Sequence, residues 1–468
     1  MNTKVSSTTV WEVNGDTGSP ANGGGFNPFA ANSGVDRTFG PNQSAVTRTD
    51  IAVDASSKLT SATTPFTSGD IGNVIQIGGG GSTAGLYELT AVGGANQATL
   101  LNYADTNLTG VSGTLGGAFQ NVDFAFNAMI PSNTVWIKKA SSSYSYSAVL
   151  APSGGVSGSP SLVIGYGSVR GDGQTVTDYS KCAKISLNGS ATTINMNQTY
   201  ARCYNLYLDN VNNVNIGFTL AAGNTYIRNC FINRFAARAV SLAGGPSNAE
   251  YCMATSGVSS LGAFYVAAQN SLANYCVAEN NSCAGFMFGS KGILNHCISK
   301  NNIDGITLNG NFGDIFNCIC YKNTGHGILL NGAGSDGTLI SNCILSDNSG
   351  YGIYNNTSSW KLYDNDYNGY FNNGSGAIFN IPTGVHEVFM SSSPFTSAGT
   401  NNFTLNNTAG AGALLRGSGN PGVLNYVIGT GYSDIGVYQH QDAGSGVTVS
   451  GGSTNLIIHP GMGGGMRG

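Results

Sequence analysis

Apolar residues recur along this chain as short runs of three to five, each closed by a turn rich in Asn or Gly, and the pattern returns every 20 to 27 residues. The clearest copies are Asn295-His296-Cys297-Ile298-Ser299-Lys300-Asn301-Asn302-Ile303-Asp304-Gly305-Ile306, Asn317-Cys318-Ile319-Cys320-Tyr321-Lys322-Asn323-Thr324-Gly325-His326-Gly327-Ile328 and Asn342-Cys343-Ile344-Leu345-Ser346-Asp347-Asn348-Ser349-Gly350-Tyr351-Gly352-Ile353. Each reads as a short β run, an Asn turn, then a Gly-Ile step into a second run. Such runs are too short for helices, and their β-branched and Cys content suits strands. Coils of this length with two or three strands apiece predict an all-β parallel β-helix solenoid, its regular coils spanning 134–385.

Cys marks the period. Cys182, Cys203, Cys230, Cys252, Cys276, Cys297, Cys318 and Cys343 form the main series, with Cys283 and Cys320 added. Equivalent positions on neighbouring coils stack at about 4.8 Å, so the series predicts a column of thiols filling packing or turn positions. Which face holds it is ambiguous. One alternating set places Ile227, Asn229 and Phe231, with Ile315, Asn317, Ile319 and Ile340, Asn342, Ile344, inward; the rival set places the Cys inward. Asn suits the turns because it tolerates the left-handed conformation and its amide can bond from coil to coil. Gly before Ile is expected to supply positive φ at the bend.

The flanks differ. Residues 1–45 are rich in Gly, Asn, Pro and Ser and read as an extended arm that orders on a partner. Residues 46–115 carry runs such as Ile51-Ala52-Val53, Asn73 to Ile77, Leu86 to Val92 and Ala98 to Leu101, which predict a small antiparallel β module. Residues 116–133 hold one short helix, within Ala118 to Met129, that caps the solenoid. Irregular closing coils are expected over 386–453, including Asn402 to Asn407 and Leu424 to Ile428, and a Gly/Met-rich tail that orders on contact over 454–468.

Composition agrees with a turn-rich β protein: 69 Gly, 53 Asn and only 9% charged residues, too few to clothe exposed helices. Thirty of the 53 Asn lie between residues 205 and 380, where the coils are most regular. Hydrophobic content of 41% is enough for a core. A formal charge of -4 gives no footprint for nucleic acid or an anionic membrane, and no apolar run is long enough for a membrane span. Met1 to Trp11 lacks the apolar core of a signal peptide, so synthesis in a cytoplasm and free thiols are the expectation.

These coils, over roughly residues 134–440, resemble the pectin-lyase-like right-handed parallel β-helix superfamily. Leu162 to Asp172 and Tyr432 to His440 resemble the segments that lead into and out of β-helix proteins of phages and environmental bacteria, and Ser61 to Gly72 resembles the N-terminal β module attached to them. The resemblance implies a right-handed, elongated, homotrimeric virion component such as a tail spike, fibre or capsid decoration. Its partners would be other capsid or tail proteins, met through the N-terminal arm and C-terminal tail, and a host surface polysaccharide. The fold carries lyases, hydrolases and inert adhesins alike. A non-enzymatic virion protein is therefore expected, with a polysaccharide-degrading tail-spike enzyme or a bacterial surface adhesin as alternatives.

Alignment on the Gly-Ile bend places Ala284, Asp304, His326 and Tyr351 in one column, with Arg238 lower down. Asp304, His326 and Tyr351 are the candidate acid-base column, set against solvated bend positions without function. Tyr354, Trp360, Tyr363, Tyr367 and Tyr370 are candidate sugar-stacking rings; subunit contact and core packing are open to the same cluster, which also holds Phe371. Asp364 and Asp366 match the start of a Ca²⁺ loop, but Ser375 stands at its twelfth position, and a turn is the better reading. Lys300 and Lys322 stack on successive coils and stand alone, with no carboxylate cluster beside them for lyase chemistry. Arg170-Gly171-Asp172 is a chance match to an integrin tripeptide, and His459 is read as solvated. No metal or cofactor is expected.

Overall fold

The computed structural model describes residues 2–40, 43–78, 85–94, 96–103, 107–172, 179–187, 192–209, 216–258, 261–309, 313–332, 337–357, 362–420 and 433–439; the side chains of 180 and 362–364 fall outside the description. Trp360, the run 424–428, His459 and the tail 454–468 therefore lie outside the described residues.

The chain forms a right-handed parallel β-solenoid of about nine turns on a small, mainly antiparallel module. Each regular coil gives one strand to each of three sheets. The first, of 12 strands, runs from Gly25–Phe26 and Val10–Val13 through Thr134–Lys138 and Tyr226–Arg228 to Leu362–Asp366. The second, of 11, runs from Tyr144–Tyr146 through Phe231–Asn233 to Val388–Phe389, and the third, of nine, from Thr192–Met196 through Arg238–Leu242 to Gly376–Phe379.

The two alternating sets that compete in the sequence are each half right: Ile227, Ile315 and Ile340 face inward together with the Cys, whereas Phe231, Ile319 and Ile344 do not join that interior. Ile227, Cys230 and Ile232 are all fully buried, because Asn229 between the first-sheet and second-sheet strands adopts φ 53°. That one left-handed residue resets the alternation, so residues on either side of it point inward. The same corner is repeated at Tyr251, Tyr275, His296, Asn317 and Asn342, each followed by a buried Cys. The thiol column thus has six members: Cys230, Cys252, Cys276, Cys297, Cys318 and Cys343. Cys203 belongs instead to the first sheet, between Val163 and Ile227, and Cys182 precedes the second-sheet strand Ala183–Leu187. All ten Cys are free and buried. The corner thiols donate to the carbonyl two residues back, as from Cys318 to Phe316 O at 3.1 Å and from Cys297 to Asn295 O at 3.4 Å.

A second left-handed corner follows the second sheet, at Asn280, Asn301, Lys322 and Asp347. The next residue turns an amide into the core. Asn281 Nδ2 donates to Asn302 Oδ1, Asn323 Nδ2 to Asn348 Oδ1 and Asn348 Nδ2 to Asn373 Oδ1, each at 2.9 Å, while the Asn302 N–H donates to Asn323 Oδ1 at 3.0 Å. This internal ladder satisfies backbone groups that the turn removes from the sheets. The glycines before Ile act differently from expectation. Gly305, Gly327 and Gly352 are not among the positive-φ residues; a Cβ on Gly327 would sit 2.6 Å from Gly352 O, so they are there for close approach of coil to coil.

The N-terminal segment corrects the reading of a free arm. Val10–Val13 pairs in parallel with Thr134–Lys138 and forms the lowest rung of the solenoid, with Trp11 and Val13 fully buried. Trp11 Nε1 donates to Asn133 Oδ1 at 2.9 Å and its ring stacks on Phe119 at 5.8 Å. Burying those side chains gives residues 2–40 a place on the fold without a partner. The helix Val122–Ala128 sets Val122, Ala125 and Phe126 against this rung. In the module, Asn2–Lys4 runs parallel to Gly85–Gly94, and the antiparallel strands include Lys58–Thr60 and Leu108–Leu115, which the sequence patterning misses. The Ser61 to Gly72 segment earns its composition there: buried Asp70 lies 2.7 Å from Arg37 and 3.7 Å from Arg48, whose guanidinium covers Phe66 at 4.0 Å.

Arg170 ties module, first rung and solenoid together. It pairs with Glu12 at 2.7 Å and Asp36 at 3.1 Å, and Tyr166 hydroxyl also donates to Glu12. Burial pushes the Glu12 carboxyl up to about 7, against the pull of Arg170 and Tyr166. A carboxyl raised on folding binds more protons folded than unfolded, so its contribution is full below about pH 4.5 and is lost as pH rises through 7. Glu12→Gln is expected to flatten the fall in stability between pH 4.5 and 8, read from denaturant midpoints across that window.

The closing segment also departs from expectation. After Val388–Phe389 the chain adds no rung among the described residues. It folds back as the antiparallel pair Phe395–Ser397 and Asn402–Leu405, laying Phe395, Phe403, Leu405, Leu415, Ile435 and Val437 over Val277, Ile298, Ile319 and Ile344. Those four residues point outward from the second sheet, and covering them removes an apolar stripe from water.

Candidate functional site

The column expected from the Gly-Ile alignment exists. Register along the third sheet pairs Ile306 with Ile328 and Ile328 with Ile353, which sets Asp304, His326 and Tyr351 above one another, with Ala284 below. Its bonding is not that of an acid-base relay. Asp304 Oδ1 accepts from the backbone N–H of His326 at 2.8 Å, and His326 Nδ1 accepts from the backbone N–H of Tyr351 at 3.0 Å. Each side chain staples the coil above. Since a backbone N–H only donates, Nδ1 must be unprotonated and the proton sits on Nε2. Burial lowers the His326 pKa further, against the field of Asp304, so the ring is neutral at pH 7. Gly350 leaves room for the staple: a Cβ there would lie 2.5 Å from His326 Nδ1.

What the column does build is an aromatic stripe on the outer face of the third sheet. His326 stacks on Tyr354 with ring centroids 4.3 Å apart, Tyr351 lies 5.6 Å from Tyr354, and Phe379 lies 5.1 Å from both tyrosines. Phe379 is 42% exposed at the open end. Below it the face dips into a hollow of about 200 Å³ whose lining includes Met287, Asp304, Thr307, Asn309, Leu329 and Asn331. A second hollow, of about 260 Å³ beside Pro131, Pro152 and Gln198, has neither a charged nor an aromatic side chain in its lining.

The other expected sugar-stacking rings disperse. Tyr354 joins the stripe. Tyr370 is 3% exposed and lies inside the last coil, its hydroxyl donating to Glu387 at 3.2 Å, so it cannot meet a ligand. Tyr367 is a left-handed corner residue that stacks on His386 at 4.3 Å. The Tyr363 side chain and Trp360 lie outside the described residues. Asp364 and Asp366 sit on the first-sheet strand Leu362–Asp366, not in a turn, because the register pairs them with Leu339 and Ser341. Lys300 does not stand alone either: it pairs with Glu279 at 2.7 Å and bonds Asn401, and its register partner is Tyr321, so Lys322 is not above it. Arg170 is an intramolecular anchor, as described above.

Sequence reasoning missed the cluster at the last coil. Asp366 Oδ2 meets His386 Nδ1 at 2.7 Å, and Glu387 accepts from the Asn368 N–H at 2.7 Å. Burial pushes Glu387 up to about 7, whereas Asp366, despite burial, is held below the usual carboxylate range by hydrogen bonds from His386 and the Tyr367 N–H. The only sequence signal was the adjacent pair His386-Glu387 some twenty residues after Asp366. It missed the corner stack as well: Tyr251 lies 5.0 Å from Tyr275 and Tyr275 lies 4.6 Å from His296, with Arg228 under Tyr251 at 4.9 Å. Among the described residues no group of three or more His, Cys, Asp or Glu is arranged to hold a metal ion, and no helix is long and apolar enough to cross a membrane.

A family model described as "Right handed beta helix region" matches residues 216–367. Among solved structures, the pectate lyase Pel9A is similar at 13% identity, with 69% of this chain and 92% of that one covered and a TM-score of 0.52. A rhamnogalacturonan lyase follows at 12% identity, 50% and 71% coverage and a TM-score of 0.42. ORF18 of Geobacillus virus E2 is similar at 14% identity, 58% coverage of each chain and a TM-score of 0.41. No curated protein matches. The likeness to Pel9A is one of fold alone.

Proposed function

We propose that this chain is a non-enzymatic, glycan-adhesive solenoid of a phage particle. The observation that carries the adhesive part is the His326–Tyr351–Tyr354–Phe379 stripe beside a polar-rimmed hollow on one outer face. Stacked rings offer flat apolar surface to the CH face of a sugar, and neighbouring amides and carboxylate reach its hydroxyls. The non-enzymatic part is supported by the bonding of Asp304 and His326, whose Oδ1 and Nδ1 accept from backbone N–H groups of the next coil. Tyr354→Ala is expected to weaken binding to a recognised cell-surface polysaccharide at least tenfold with little change in stability, read by affinity electrophoresis. Binding unaffected by that change would remove the reading.

The virion setting rests on the resemblance of Leu162 to Asp172, Tyr432 to His440 and Ser61 to Gly72 to phage and environmental β-helix proteins. In this reading the homotrimer docks on capsid or tail proteins through the 454–468 tail, residues 2–40 being engaged on the chain's own fold. Light scattering on the purified chain and mass spectrometry of particles test both points.

A second reading, polysaccharide cleavage, is favoured by one observation. Asp366 and Glu387 are neighbouring carboxyl groups with pKa values driven apart, the pattern of an acid and an ionised partner. Against it, Glu387 is spent on Asn368 and Tyr370. Release of reducing ends from bound polysaccharide, lost in Glu387→Gln, would decide for the enzyme.

A further inference from the structure

We propose that the hollow on the outer face of the third sheet is the specificity subsite for an uncharged, hydroxyl-rich sugar, with Thr307 as the residue that reads a ligand hydroxyl. The proposal rests on the glycan-binding reading above and names its ligand class.

Thr307 is the outward residue of the strand Ile306–Leu308, set between Met287 and Leu329 on the neighbouring strands. It is only 4% exposed, and among the described residues its Oγ1 has no hydrogen-bond partner. A buried hydroxyl left unsatisfied is destabilising, so a β-branched apolar residue would serve the fold better at this position. Thr307 lines the hollow together with groups suited to the same ligand. Asp304 spends Oδ1 on the His326 N–H, and its carboxylate borders the space. Asn309, Asn331 and Asn356 form an amide row along the solenoid axis: Asn331 Nδ2 donates to Asn309 Oδ1 at 3.3 Å and Asn356 Nδ2 to Asn331 Oδ1 at 2.7 Å. Met287 and Leu329 supply an apolar floor.

Charge selects within the sugars. The lining contains one carboxylate and no Lys or Arg, and the adjoining His326 is neutral at pH 7. Lower on the same face Arg238 is laid over the Tyr265 ring at 3.7 Å. A uronate or sulfated unit seated in the hollow would meet Asp304 without a compensating cation, which disfavours it. A neutral unit pairs its hydroxyls with Thr307, Asp304 and the amide row while its next units extend over Tyr354 and Phe379.

The test is calorimetric titration of the full chain with neutral hexasaccharides derived from glucan, mannan and galactan, and with hexasaccharides of polygalacturonate and alginate as anionic probes. The expected result is binding of a neutral member and none of the anionic ones. Thr307→Val should weaken that binding about tenfold while leaving Tm unchanged or higher, and Thr307→Ser should restore it. Wild-type affinity in Thr307→Val alongside loss in Tyr354→Ala overturns this subsite and leaves the adhesive reading standing. Binding of the anionic probes alone overturns the ligand class. Binding of no probe at all, over both charge classes, removes the adhesive reading and this proposal with it.

Discussion

Asn323→Ala lowers the unfolding free energy by about 3–4 kcal/mol, because it strands two buried backbone groups at once. Asn323 is fully buried; its Oδ1 accepts the Asn302 N–H at 3.0 Å, and its Nδ2 donates to Ser299 O at 3.4 Å and to Asn348 Oδ1 at 2.9 Å. Alanine leaves a void and takes away the acceptor of the Asn302 N–H and a donor to Ser299 O. Asn323→Asp separates hydrogen bonding from volume. It keeps the acceptor for Asn302 but turns a second oxygen toward Asn348 Oδ1 and buries a charge, so it is expected to be at least as damaging as alanine. Asn331→Ala is the control. Asn331 belongs to the exposed amide row, where water replaces the lost bonds, and the change should cost no more than about 0.5 kcal/mol. Denaturant melts rank the three, and hydrogen exchange should show loss of protection confined to the coils around Asn302 and Asn348, since each coil contacts mainly its neighbours. Equal effects from Asn323→Ala and Asn331→Ala would mean the internal ladder contributes nothing beyond what solvent supplies.

The repeat was legible because the features that enforce it are local. A left-handed corner, a buried amide and a glycine under the next coil each recur at fixed offsets, so Asn301-Asn302, Lys322-Asn323 and Gly325-His326-Gly327 announce themselves without any knowledge of pairing. Three things were hidden for physical reasons. The corner tolerates any residue whose stacking repays the left-handed conformation, and Tyr251, Tyr275 and His296 break the Asn rule by stacking on one another. Alternation of apolar residues says that a strand is half-buried but not against what, so the closing segment reads as further coils although it lies across the second sheet. The bonding of Asp304 and His326 was hidden because sequence gives the column and not the hydrogen atoms: both side chains accept from backbone N–H groups, a partner that no side-chain motif encodes. The aromatic stripe was half visible, through Tyr354, whereas Thr307 carried no signal, a strand threonine being ordinary until its hydroxyl is found buried beside a hollow.

Trp11→Ala separates a free arm from a first rung. An arm that orders only on a partner would lose nothing measurable in the isolated chain. A rung closed by Trp11 loses about 3–5 kcal/mol, the cost of truncating a large buried aromatic in a packed site. The ring is fully buried, stacks on Phe119 and donates to Asn133 Oδ1, which also accepts the Ile130 N–H, so alanine opens a cavity under the helix Val122–Ala128 and removes a donor 122 positions away in sequence. Two further observations give the outcome its shape. Glu12, the next residue, is held by Arg170 and Tyr166, and Val10 to Val13 covers the edge of Thr134–Lys138 that would otherwise be unpaired. Loss of the rung therefore exposes a parallel strand edge at the base of the solenoid, a template for association. The variant should melt earlier, expose residues 2–26 to protease while the coils above remain resistant, and associate at concentrations where the parent chain stays dispersed. Trp11→Phe, which keeps most of the volume and loses the Asn133 bond, should recover most of the stability. If Trp11→Ala melts with the parent and its first 26 residues are no more sensitive to protease, the rung contributes nothing to the isolated chain and residues 1–45 return to the role of an arm.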